Sequence, residues 1–126
     1  MKLPRLTALS RLAVCLAAFG FLAGPALADE MAVFMKNGFS RAVVVELRSQ
    51  TTQGVWPGDD QIYLLEKAER KSVPIECEAG ETICYGAWAY GDDSIAWGIG
   101  PDNAAKCDDC CFTCAAKATE TIELKR

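Results

Sequence analysis

Histidine is missing from the chain altogether. That removes Ser–His and Cys–His nucleophilic pairs, the commonest general base, and most catalytic zinc sites. Positive charge is also scarce: 13 basic residues face 17 acidic ones, a net charge of −4. An acidic chain carries no electrostatic footprint for nucleic acid or for an anionic membrane surface. No apolar run reaches the roughly 20 residues that a bilayer span requires. Internal repeats and low-complexity segments are absent as well.

Carboxylates are plentiful but badly arranged for catalysis. Asp59-Asp60, Asp92-Asp93 and Asp108-Asp109 are adjacent pairs, and neighbours on a strand point to opposite faces. Acid–base hydrolysis instead needs two carboxyl groups facing one substrate. Asp92, Asp93 and Asp102 offer oxygen ligands for calcium, without an EF-hand loop to organise them. The residues therefore indicate a protein that is not an enzyme and needs no cofactor.

The N-terminus supplies the first positive signal. Lys2, Arg5 and Arg11 precede an apolar stretch from Leu12 to Leu22, and Ala26-Leu27-Ala28 offers a small-residue cleavage site. This order is that of a secretory signal peptide, and Gly24-Pro25 interrupts the apolar stretch before the polar Asp29-Glu30. Residues 1–28 are read as a removable signal, and residues 29–126 as a single domain that inserts in no membrane once the signal is gone. Cleavage removes three of the 13 basic residues and none of the 17 acidic ones, leaving 10 against 17, or −7. The expected location is secreted or periplasmic.

Turn signals punctuate the mature chain every eight to twelve residues. Met31 to Lys36 reads as a strand ended by the hairpin-type dipeptide Asn37-Gly38. Arg41 to Arg48 is the clearest strand, with Val43, Val45 and Leu47 on one face and Glu46 and Arg48 on the other. Gln61 to Leu65, Lys71 to Cys77, Thr82 to Tyr90, Ser94 to Ile99 and Thr119 to Leu124 follow. Pro74 assigns its strand to an edge or a bulge, because proline cannot donate to a ladder. The Ala-rich segment Asn103 to Ala118, preceded by Asp102, has cysteines at helical spacing. The expected fold is a small antiparallel β-sandwich of about seven strands, with one short Cys-rich helix or loop near the C-terminus.

Seven cysteines are present, and Cys15 leaves with the signal. Cys77, Cys84, Cys107, Cys110, Cys111 and Cys114 remain, an even set that suits a disulfide framework in a small exported domain. A type II′ turn with Gly80 at its first central position would set Cys77 opposite Cys84, within bridging distance. Cys107, Cys110, Cys111 and Cys114 would then pair among themselves, with Cys110–Cys111 excluded by strain in so small a ring. The rival solution sends two of these four across to Cys77 and Cys84. Stapling is the leading role, and metal binding is not expected. The competing role is a cysteine cluster that binds soft metal (zinc or copper) or exchanges disulfides. Asp108 and Asp109, between Cys107 and Cys110, oppose the thiolate that exchange needs.

Trp88 and Trp97 read as core, close together across the turn at Gly91. Trp56 stands apart in a Pro/Gly loop, where an aromatic serves as a plug or as a contact for a partner. The leading functional expectation is an exported, non-enzymatic binding or interaction module of the cell envelope or extracellular space. Its partner would be a protein or a glycan, and Trp56 its first candidate contact.

Overall fold

The computed structural model describes Gly20 and residues 28–126. The signal segment lies outside the described residues except for Gly20 and Ala28. The described residues contain nine strands: β1 Ala28–Asn37, β2 Val43–Ser49, β3 Val55–Trp56, β4 Tyr63–Leu65, β5 Arg70–Glu78, β6 Thr82–Ala89, β7 Asp92–Gly98, β8 Cys111–Thr113 and β9 Ile122–Leu124. The only helical turn among the described residues is a 3₁₀ turn at Pro101–Asn103. No helix among them is long and apolar enough to cross a membrane.

The strands form two sheets. One has the order β5-β1-β9; the other centres on β2 and β6, with β3 and β4 along the free side of β2 and β7 and β8 along the free side of β6. Alternation decides what each sheet buries. Met31, Val33 and Met35 of β1, and Val73, Ile75 and Cys77 of β5, form one inner face. Val43, Val45 and Leu47 of β2, with Ile83 and Ala87 of β6, form the facing one. Leu65, Cys114 and Leu124 complete the shared core. Each fully buried Val, Leu, Ile or Met stabilises by about 1.5–3 kcal/mol, and this is where the fold is held.

The expected β-sandwich is thus found, with four refinements. The sheets are not wholly antiparallel, because β9 runs parallel to β1 through Met35↔Ile122 and Asn37↔Leu124. Two strands are additional: β3 contains Trp56, and β8 lies inside the segment expected as helix. Asn103 to Ala118 is therefore the loop of the two alternatives. Left-handed backbone at Asp102 and Asn103, with φ of 52° and 57°, breaks any helix at its start. Pairing of Cys84 with Cys111 on adjacent strands then imposes extended geometry. Pro74 does sit on an edge strand, since β5 pairs with β1 alone.

Two expected hairpins are crossovers between sheets. Asn37-Gly38 joins β1 to β2, which lie in different sheets. The Asn37 side chain is fully buried, and its Nδ2 donates to the carbonyls of Arg41, Leu65 and Glu66 at 2.8, 3.1 and 3.1 Å. Its Oδ1 accepts the Phe39 N–H at 2.8 Å. The side chain thus satisfies backbone groups that a ladder would have paired. At the second crossover, the Glu81 N–H donates to the Glu78 carbonyl, with Gly80 at φ 84° in the third position. That is a type II arrangement, and it carries the chain from β5 in one sheet to β6 in the other. Cys77 consequently faces the core while Cys84 faces the opposite side of its own sheet, and the two do not bridge. Trp88 and Trp97 also separate: Trp97 is paired with Ala87, so adjacent Trp88 projects to the other face. Trp97 instead packs edge-on against Phe39, with ring centroids 5.1 Å apart.

Candidate functional site: the cysteine cluster and its groove

The outer face of the β2–β6 sheet would be an open surface without the chain that follows β7. Glycine brings that chain in. A Cβ on Gly86 would lie 2.2 Å from the Gly100 carbonyl oxygen, and one on Gly98 would lie 2.1 Å from that of Tyr85. Both approaches are closed to any larger residue. Arg48 on β2 then reaches Asp102 at 3.2 Å and Glu46 at 3.1 Å, holding the turn down electrostatically. The Ala105 N–H to Ile99 carbonyl bond closes the loop and directs Lys106 onwards into the cluster.

Three disulfides follow. Cys77–Cys114 closes 37 residues, Cys84–Cys111 closes 27, and Cys107–Cys110 closes 3. The rival solution of the sequence reading is the one realised, with Cys114 and Cys111 crossing to Cys77 and Cys84. The bridges differ in position. Cys77–Cys114 is inside the core, with its residues 4% and 2% exposed. Cys84–Cys111 joins directly opposed residues of β6 and β8. Cys107–Cys110 lies outside both sheets in a turn, with Cys107 only partly covered. Three bridges in so small a domain are those of a chain that matures in an oxidising, extracytoplasmic setting.

Asp109 completes the outermost bridge. Its Oδ1 lies 3.3 Å from the Cys107 sulfur and 3.9 Å from that of Cys110. The ligand atoms of Cys107, Asp109 and Cys110 all fall within 4.8 Å of one another, the one such group among the described residues. In the structure the two sulfurs are bonded to each other; reduced to thiolates, they and the carboxylate would make a three-ligand set of the type zinc accepts. From sequence Asp109 counts only as an obstacle to thiolate formation; the turn is what places its carboxylate beside both sulfurs. The calcium candidates do not converge. Asp92 is engaged by Ser94 and Arg41, and Asp102 by Arg48.

Beside the cluster the two sheets part into a groove of about 570 Å³, lined by Tyr85, Asp109, Cys110, Phe112, Ile122 and neighbouring residues. The Tyr85 N–H donates to the Cys110 carbonyl at 3.0 Å, which ties the cluster to β6. Burial raises the Tyr85 phenol pKa above its ordinary value, and the Asp109 charge raises it further. Tyr85 is thus held as a neutral hydrogen-bonding group at the cluster's edge.

Trp56, the contact residue expected from sequence, is half-buried and packs against the core. Its Nε1 donates to the Glu76 carbonyl at 3.0 Å. With Thr52, Gly54 and Glu81 it lines a second, shallower cleft of about 300 Å³ that opens beside Ala28. Glu81, 4% exposed, braces this end of the sandwich. Thr52 Oγ1 donates to one carboxylate oxygen at 2.6 Å and the Glu78 N–H to the other at 2.9 Å. Burial pushes the Glu81 pKa up, but the bonds from Ser49, Thr52 and Glu78 outweigh it and hold the group below the usual range. The chain matches no family model, no curated protein and no solved structure.

Proposed function

We propose that this is a non-enzymatic, extracytoplasmic cysteine-cluster protein whose outermost disulfide opens to hold a zinc-class cation on Cys107, Asp109 and Cys110. The carrying observation is the Asp109 carboxylate, whose Oδ1 lies 3.3 Å from the Cys107 sulfur and 3.9 Å from that of Cys110, beside the two thiolates that reduction would free. The electrostatics select metal capture over disulfide exchange. Asp108 and Asp109 disfavour a free thiolate nucleophile, yet the same negative charges favour a bound dication and the thiolates that it creates. Opening requires two electrons and two protons from a dithiol donor. The Cys107–Cys110 sulfur–sulfur bond breaks, two thiols form, and the donor leaves as its own disulfide. The cation then displaces both thiol protons. In the oxidised state the cluster is a staple and binds no metal, so the expected structural role and the proposed one are two states of one site.

Limited treatment with a phosphine reductant tests the proposal. Two thiols per chain should titrate first, and one equivalent of zinc should bind only after they appear. Asp109→Asn should weaken zinc by at least about tenfold while leaving the thiol count alone. Simultaneous release of six thiols, or zinc affinity indifferent to Asp109→Asn, would refute it.

A second reading is favoured by the cleft at Trp56. In it the domain is a secreted or periplasmic interaction module that presents Trp56 to a protein or glycan. The partly covered indole at the cleft beside Ala28 supports this reading. A glycan array probed with wild type and Trp56→Ala tests it, and equal signals from the two proteins would exclude Trp56 as the contact.

A further inference from the structure

We infer that the groove between β8 and the β9 edge is a docking site for an extended, cationic segment of a partner protein. The inference rests on the groove's backbone and does not depend on metal uptake at the cluster.

One wall is the free edge of β8. The Tyr85 N–H bonds the Cys110 carbonyl and the Cys114 N–H bonds the Glu81 carbonyl. With Ile83 opposite Phe112 between them, the ladder alternation turns the N–H and C=O of Cys111 and Thr113 away from β6. These groups point along the groove side, where no strand follows. The other wall is the chain leading into β9. It touches β1 through the Ala32 N–H to Lys117 carbonyl and Thr119 N–H to Ala32 carbonyl bonds, and rejoins it at Ile122. Its far side is the end of that sheet. Two strand edges with open backbone groups therefore flank one channel. Its lining includes the apolar side chains of Met31, Phe112 and Ile122.

Unpaired edges usually invite another strand unless they are blunted. Here each edge is short, which limits self-pairing, but together they offer bonds to both sides of an inserted peptide. Strand addition takes its affinity from such main-chain bonds and its selectivity from alternate side chains entering pockets. Charge identifies the occupant. Asp109, Glu120 and Glu123 lie on the groove against Lys117 alone, and Lys125 already pairs with Glu123. With Glu123 so paired, Asp109 and Glu120 face Lys117 alone, and the remaining net charge of −1 favours lysine or arginine, with apolar residues alternating between them.

A fluorescein-labelled peptide, Val-Arg-Val-Arg-Val-Arg-Val, and its glutamate counterpart, Val-Glu-Val-Glu-Val-Glu-Val, test this by anisotropy against the oxidised full domain. The arginine peptide should bind and the glutamate peptide should not. Amide shifts should concentrate at Cys111, Thr113 and Thr121. Glu120→Lys should weaken binding at least fivefold, whereas Asp93→Lys, exposed on β7 and outside the groove lining, should leave it unchanged. Equal weakening by both variants would reduce the effect to overall charge and overturn the site. Shifts along the β5 edge would overturn its placement, and equal binding of the two peptides its chemistry. Self-association without peptide, abolished by Glu120→Lys, would show a second copy in the groove and overturn the choice of occupant.

Discussion

Deleting the three disulfides one pair at a time should destabilise the domain unequally, with Cys107–Cys110 the cheapest to lose. The bridges are nested: Cys77–Cys114 encloses Cys84–Cys111, which encloses Cys107–Cys110. Nesting matters because the entropy removed by a cross-link depends on the loop it closes in the presence of the others. With Cys84–Cys111 intact, Cys77–Cys114 closes a ring of only about ten residues, worth about 2.7 kcal/mol in the chain-entropy model. With Cys77–Cys114 intact, the same model assigns Cys84–Cys111 about 2.4 kcal/mol, and Cys107–Cys110 about 1.5 kcal/mol. Serine replacement also buries hydroxyls, two at Cys77 and Cys114 but one each at Cys84 and Cys110, and each unsatisfied group costs roughly 1–3 kcal/mol. The order of loss is therefore Cys77–Cys114, then Cys84–Cys111, then Cys107–Cys110. Melting of the three double-serine variants under non-reducing conditions measures it. For a domain of this size roughly 4–8 °C corresponds to 1 kcal/mol, so loss of the short loop alone in Cys107→Ser with Cys110→Ser should lower Tm by roughly 6–12 °C. The core pair should lower it by more than twice that. A cluster variant that falls as far as the core variant would show that the outermost bridge holds the fold, and it could then not open without unfolding the domain.

Two further substitutions test the internal polar anchors. Glu81→Gln removes the charge that accepts bonds from Thr52 and Glu78, and should cost about 1–2 kcal/mol at neutral pH in urea unfolding. Because the folded-state pKa of Glu81 lies below its usual value, this stabilisation is present above the unfolded pKa and is lost as pH falls through the folded one. The gap between wild type and Glu81→Gln should therefore close in acid, and a gap that widens there would contradict the assignment. Asn37→Ala removes the partner of three carbonyls and one N–H, of which the Leu65 carbonyl is the buried one, and should cost about 3 kcal/mol. A loss under 0.5 kcal/mol would mean that water replaces the amide.

The sheets were legible because their cause is local. Val43, Val45 and Leu47 announce a half-buried strand, and Pro74 an edge, whatever surrounds them. What the sequence hid depends on partners distant in the chain. Asn37-Gly38 carries a hairpin signal, yet β1 is claimed by β5 and β9, and the Asn37 amide serves a crossover instead. Gly80 suits both a type II′ hairpin and a type II crossover. The choice follows from Cys77 needing the core while Ile83 brings β6 into the other sheet. Cysteines at 107, 110, 111 and 114 fit a helix by spacing, but two of them are tied to strands, and a bridge outweighs helix propensity of a few tenths of a kcal/mol per residue. Asp109 was visible in the C-x-x-C segment all along. Its place beside the bridge depends on the turn, which sets it 3.3 Å from the Cys107 sulfur.

The same nesting that ranks the bridges bears on the proposed opening at the rim. A disulfide that opens in a working cycle must contribute little to folding, lie where a donor can reach it, and leave its ligands placed after it breaks. Cys107–Cys110 meets the first condition through its short loop and the second through the partly covered Cys107. For the third, Cys110 stays anchored by its carbonyl bond to Tyr85 and by adjacent Cys111, which remains bridged to Cys84. On the other side, Gly98, Gly100 and the Arg48–Asp102 pair fix the approach of the chain to Lys106. Under the proposal, the inner bridges are the frame that would keep Cys107, Asp109 and Cys110 together once the outer one is reduced. Removing Arg48 is the sharpest check, because it touches no ligand. Arg48→Met should leave the disulfide pattern intact yet weaken zinc binding by the reduced cluster several-fold. Unchanged affinity would mean that the ligands are organised by their own turn and not by the loop that delivers them.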